Sequence, residues 1–198
     1  MEYRVQLRNV RSMVGTILQD AQKLLTTAEP AELGLGPRAG ILAEAELESK
    51  LDGLFDRGEI AVSRQPMIRA LLLLWHDHLD AAHVIAQSID NADGAFVHGI
   101  MHRREPDYGN AKYWFHRVGA HGSFSELAKR TQSFLVSKGD KRLAEELIKN
   151  GRWDAFAFVD ACEAAAERRG GAGREALLRD VQAIESQVLL EWLVEGKV

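Results

Sequence analysis

The sequence predicts an all-α fold, a single domain over residues 1–198 built as a bundle of roughly eight or nine helices. Three observations carry that expectation. Apolar residues recur at three- and four-residue spacing through most of the chain. No stretch alternates with period two for long enough to make a strand. Capping residues, glycines and prolines divide the chain into helix-sized pieces.

Tyr3 to Thr27 carries Val5, Val10, Val14, Ile17, Leu18, Leu24 and Leu25 at near-helical spacing, and Pro30 stops it. Glu32 to Gly40 (ELGLGPRAG) reads as a loop. No strand pattern precedes its glycines and no Gly-Lys-Ser/Thr follows, which argues against a phosphate cradle. Ile41 to Phe55 resumes a helix on Leu42, Leu47, Leu51, Leu54 and Phe55. Ser63 offers an N-cap and Pro66 suits a first turn, so a long helix is expected from there to about Ile89.

Asn91-Ala92-Asp93-Gly94 breaks that helix, with Asp93 placed to cap the next one, Ala95 to about Arg104. Pro106 ends it, and Asn110 is placed to cap a short helix through Val118. The string SFSE at 123–126 has the form of a capping box opening a helix that ends at Gly139. Asp140 caps a helix up to Asn150-Gly151, and Asp154 caps one to Arg169. After a glycine-rich linker, the final helix bears Leu177, Val181, Ile184, Val188 and Trp192 as a heptad-like stripe. Leu189, Leu190, Leu193 and Val194 widen that stripe, and the surplus of apolar surface predicts a homodimer with this helix at the interface.

Composition excludes several function classes. A formal charge of -4 gives no basic face for general nucleic-acid binding. The longest apolar run, Ala70 to Trp75, is far too short to span a bilayer. The opening string MEYRVQ has no apolar signal segment. Cys162 is the single cysteine, which fits a reducing compartment. The expectation is a cytoplasmic protein without nucleic-acid or membrane partners.

All 7 histidines fall between His76 and His121, inside a central site-bearing region at 64–122. On the expected long helix His76, Asp80, His83 and Gln87 stand at i, i+4, i+7 and i+11, one line along one face. On the next helix His98, His102 and Glu105 stand at i, i+4 and i+7. Two histidines four residues apart can aim at one metal ion, and Asp80 or His83 from the preceding helix would complete a nitrogen and oxygen shell. The metal-type candidates are therefore His83, His98, His102 and Glu105, around a divalent ion. A hydrogen-bonded polar network without metal explains the same residues. Neither a His-Glu-x-x-His sequence nor paired Glu-x-x-His motifs are present.

Arg103 and Arg104 could clamp a ligand carboxylate or phosphate, or pair internally with Glu105 and Asp107. Tyr108 and Trp114 join Asp80, His83, Gln87 and these arginines as ligand-binding candidates. Trp114 and Phe115 cannot both point inward, because helix neighbours lie about 100° apart. No nucleophilic triad is legible: Ser88 and Ser123 lack the Gly-x-Ser-x-Gly elbow, and Cys162 stands apart from the histidines. No catalytic residue is named on this basis.

Two resemblances follow from these strings. His98 to Ser123 resembles one tetratricopeptide-type hairpin, with Gly99 at the small position of the first helix and Ala111 and Phe115 at the packing positions of the second. His98 and His102 depart from that repeat's apolar positions and no second copy is found, so the likeness implies a helix-turn-helix. The string HGIMHRREPDYGNAKYWFHRVG, with LDAAHVIAQ upstream and WDAFAFVDACE later, resembles a group of uncharacterised bacterial and fungal proteins. That resemblance implies that Asp80, His83, His98, His102, Arg103, Arg104 and Tyr108 act as one unit, and implies no substrate. The functional expectation is a histidine-rich pocket binding a small ligand or a metal, with or without catalysis. The alternatives are a non-catalytic protein-interaction module and a purely structural subunit.

Overall fold

The structure, a computed structural model, describes residues 15–167 and 171–196. Ten helices form among the described residues: α1 (15–24), α2 (Glu44–Phe55), α3 (Gln65–Trp75), α4 (Leu79–Ala86), α5 (Ala92–Arg104), α6 (Tyr108–Val118), α7 (Phe124–Ser137), α8 (Lys141–Leu147), α9 (Ala155–Ala166) and α10 (Gly171–Glu195). The all-α class stands. The part of the first helix read at 3–14 and the end of the ninth at Arg169 lie outside the described residues.

Helix α5 is the centre. Eleven of its thirteen residues are buried, because α3, α4 and α6 all pack against it. Its hairpin with α6 is tight at Gly99, where a Cβ would lie 3.0 Å from the Phe115 ring; Gly in a helix interior is tolerated because it lets α6 come this close. Ala111 and Phe115 are buried opposite, as the hairpin reading requires. Helix α10 crosses behind, against α3, α7 and α9.

The expected long helix from 66 to 89 does not form. It breaks at His76, Asp77 and His78 into α3 and α4, with Asp77 in the left-handed region at φ 65°. An aspartate tolerates this better than most residues. Three long-range bonds reward the break. The His76 Nε2–H donates to Leu24 O at 2.8 Å, the Leu42 amide donates to His76 Nδ1 at 3.1 Å, and His78 Nε2 donates to Leu42 O at 2.9 Å. His76 therefore leaves the polar line that the sequence drew through Asp80, His83 and Gln87.

Cap assignments shift for the same reason: a polar side chain goes where the tertiary structure leaves a partner. Asn91, not Asp93, caps α5 by accepting from the Gly94 amide at 2.8 Å. Asp107, not Asn110, caps α6 through the Asn110 amide at 3.2 Å. Ser63 is not the cap of α3, which begins after Arg64, and Ser123 makes no capping bond to α7. Asp140 and Asp154 cap as expected. The helix expected to reach Asn150 ends at Leu147, where a two-stranded hairpin pairs β1 (Ile148–Lys149) with β2 (Arg152–Trp153). Asn150 and Gly151 both have positive φ, the geometry of the Asn-Gly hairpin turn.

The last helix faces inward along a different line from the one read off the heptads. Leu178, Val181, Gln182, Glu185 and Leu189 are fully buried, whereas Leu177, Ile184 and Trp192 are only partly so. Leu190, Leu193 and Val194 are also buried within the one chain. Each such side chain contributes roughly 1.5–3 kcal/mol to this core. The surplus surface that predicted a homodimer is thus already used. Among the described residues no helix is long and apolar enough to cross a membrane.

Candidate metal centre

The loop 87–91 turns the chain back so that α4 and α5 pack on each other, and His83 of α4 meets His98 and His102 of α5. One ligand atom from each imidazole lies within 4.8 Å of the others. The His98 and His102 rings stack, with centroids 4.9 Å apart and planes 11° apart, as i, i+4 spacing allows. His83 stands edge-on to both, at 4.8 and 5.5 Å. Trp114 of α6 closes the far side, stacked on His98 at 3.9 Å. The Arg117 guanidinium lies over Trp114 in turn and pairs with Asp90.

Burial, with repulsion from neighbouring imidazoles, disfavours the cationic form of His98 and His102. His98 is held down to about 4, first because burial penalises the cation and then because His102 and His83 lie beside it. His102 is lowered too, chiefly by burial, although the Glu105 and Asp107 carboxylates work the other way. Glu105 Oε2 lies 3.1 Å from His102 Nδ1, so Nδ1–H donates to the carboxylate and Nε2 is left as an acceptor. Asn110 Nδ2 approaches that Nε2 at 3.1 Å. The buried Nδ1 of His98 has no hydrogen-bond partner. A buried nitrogen left this way costs on the order of 1–3 kcal/mol unless something binds it.

The other candidates do not join the cluster. Arg103 and Arg104 are wholly buried ion-pair members, which corrects both the clamp reading and the pairing with Glu105 and Asp107. Arg103 forks onto Glu185 of α10, with Nη1 3.1 Å from Oε1, and also reaches Gln182 at 3.3 Å while lying over the Phe158 ring. Burial disfavours the Arg103 cation, and Glu185 more than restores it. Arg104 binds Asp77 at 2.7 Å, the Leu74 carbonyl, and Gly34 O at 3.1 Å. Arg38 binds the same Asp77 carboxylate through its side chain at 2.6 Å and its amide at 2.9 Å. The loop read at 32–40 is thereby strapped across the broken helix.

Asp80 and Gln87 are exposed. Asp80 borders a separate hollow with Leu35, Pro37 and His78. Tyr108 is half-buried beside Cys162, Glu163 and Arg103, where burial raises its hydroxyl. Cys162 is buried and pushed up to about 12 by that burial, so it remains an inert thiol.

Sequence reasoning missed three partners. Asn110 was spent on a cap. Glu185 carried a signal, since a charge at the same helical face as Leu178, Val181 and Leu189 must be paired. The third is a chain of bonds at His121: Nε2 donates to Asp93 Oδ1 at 2.9 Å, and Ser123 Oγ lies 2.7 Å from Nδ1. The order matches a catalytic relay, but Ser123 is buried and its own amide also donates to Nδ1 at 3.2 Å. With Trp192 Nε1 on the same Asp93 oxygen at 3.0 Å, this chain ties α5, α7 and α10 together. His116 is exposed. Against known proteins, no family model matches the chain, and no curated protein and no solved structure matches it either.

Proposed function

We propose that His83, His98 and His102 bind one divalent transition-metal ion, of which Zn²⁺ suits three imidazoles best. The observation that carries this is the buried, unpartnered Nδ1 of His98 within a cluster of three imidazoles. A buried polar group in a structural network is ordinarily hydrogen-bonded. Zn–N bonds of about 2.0–2.1 Å in a tetrahedral shell set nitrogens roughly 3.3 Å apart, so binding draws the rings inward from their present span. His83, on the short helix α4, is half-buried, whereas His98 and His102 are buried. Glu105 acts on His102 as the carboxylate that orients a ligating histidine.

Three protein ligands leave a fourth position for water or a ligand oxygen, the arrangement of catalytic rather than closed structural sites. The small ligand expected from the sequence would bind there. The lone buried Cys162 supports a reducing, cytoplasmic setting.

The test is calorimetric titration of untagged protein, purified without a chelating column, with Zn²⁺ and with Co²⁺ at neutral pH. One ion per chain is expected, with a tetrahedral visible spectrum for Co²⁺, and both signals are expected to vanish in His98→Ala and His102→Ala. Binding that survives either substitution, or no binding by the parent protein, overturns the reading.

A further inference from the structure

Away from the histidine trio, a cleft of about 760 Å³ opens between the α6–α7 turn and the β1–β2 hairpin. That volume lies within the range of small-molecule sites. Its apolar wall is aromatic: Phe115, Phe124, Trp153 and Phe156. Phe156 is 41% exposed, a large apolar ring left uncovered at the rim.

The polar part of the wall has more donors than acceptors. Lys149 and Asp154 also line the cleft, and they neutralise each other at 2.6 Å; Asp154 is further engaged by the Ala157 amide. Arg152 lines the same cleft and has no partner among the described residues, so one cation is in excess. Trp153 is 5% exposed, yet its buried Nε1–H meets no acceptor. An indole N–H in that position ordinarily finds one. His121 presents no free nitrogen, since Asp93 and Ser123 occupy both.

We propose that this cleft is a second binding site, for a small aromatic carboxylate whose ring lies among Phe124, Trp153 and Phe156 and whose carboxylate takes Arg152 and the Trp153 Nε1–H. The ring meets surfaces that favour offset or edge-to-face stacking. The carboxylate supplies the acceptor that Trp153 lacks and the charge that Arg152 lacks. The site shares no ligand-binding residue with the histidine trio, so it stands whether or not that trio holds a metal.

The experiment uses 2-naphthoate as probe and 2-naphthalenemethanol as the neutral control, followed by tryptophan fluorescence and calorimetry on the full chain. Saturable 1:1 binding of 2-naphthoate is expected, at least about tenfold tighter than the alcohol, which corresponds to about 1.4 kcal/mol. Arg152→Gln, at an exposed position that the fold does not depend on, should remove that preference while leaving alcohol binding in place. Trp153→Phe keeps the ring and loses the donor, and should weaken the carboxylate selectively. His98→Ala should leave all of this unchanged. No saturable binding of 2-naphthoate at millimolar concentration, equal binding of acid and alcohol, or an Arg152→Gln variant that keeps the preference would each overturn the proposal.

Discussion

His102, Arg103 and Arg104 are consecutive on α5, yet they belong to two regions with opposite electrostatic fates. The arginines enter an ion-paired interior: Glu185 and Gln182 on one side, Asp77 with two carbonyls on the other, with Arg103 Nε left unbonded. His102 enters a cluster of three imidazoles, one of which leaves a buried nitrogen without a partner. Burial alone therefore does not distinguish a scaffold from a site. What distinguishes them is that the chain sets a carboxylate against each buried arginine and nothing against the His98 Nδ1.

The largest test of that contrast lies in the arginine region. Glu185→Ala leaves the wholly buried Arg103 cation uncompensated, and should cost about 3–5 kcal/mol in denaturant unfolding. A loss below about 1 kcal/mol would mean that Arg103 finds water or another partner, and the buried ion pair would not be what holds it. Glu185→Ala should change metal binding only in proportion to lost folding.

A second test addresses the packing that joins the two regions. Gly99→Leu drives a side chain into the Phe115 ring, and should destabilise by roughly 1–3 kcal/mol through overpacking. An unchanged unfolding midpoint would show that α6 can withdraw at no cost, and with it Trp114 and Asn110.

On the histidine side, Glu105→Gln should weaken Zn²⁺ binding about 10–100-fold, because the orienting carboxylate is lost while the three imidazoles stay. Its unfolding midpoint without metal should move little. Affinity equal to the parent's would remove Glu105 from the site.

Acidity separates the regions more gently. His98 in the folded chain lies near 4, below its ordinary 6.5, so the unfolded chain binds the proton first as pH falls. The stability that neutral His98 contributes is complete above about 6.5 and is lost between 6.5 and 4. Part of the stability lost over that window should be absent in His98→Ala. Identical pH profiles for the two proteins would place the His98 ring in contact with water. Asp80→Ala and Gln87→Ala, both at exposed positions, should move stability by less than about 0.5 kcal/mol and metal affinity not at all.

Much of the fold and part of the site were legible in the sequence, for identifiable reasons. Amphipathic spacing set the helix class, and Asp140 and Asp154 announced their caps, because these are local bonds between residues three apart. Gly99, Ala111 and Phe115 announced the hairpin by size. His98 and His102 announced their shared face by i, i+4 spacing, and a short loop before α5 brought His83 to them.

What only the tertiary structure decided were the partners of groups with more than one possible bond. His76 and Asp77 look helical by pattern, but a carbonyl from α1 and two arginines from elsewhere offer more than one further helical turn does. Arg103 had Glu105 and Asp107 nearby in sequence and took Glu185 instead, 82 positions along. Side-chain spacing fixes which face a residue occupies, since that follows from 3.6 residues per turn. The sequence does not print the depth of that face or the charge across from it. Those are set when α10 brings Glu185 to Arg103 and α4 brings His83 to His98 and His102.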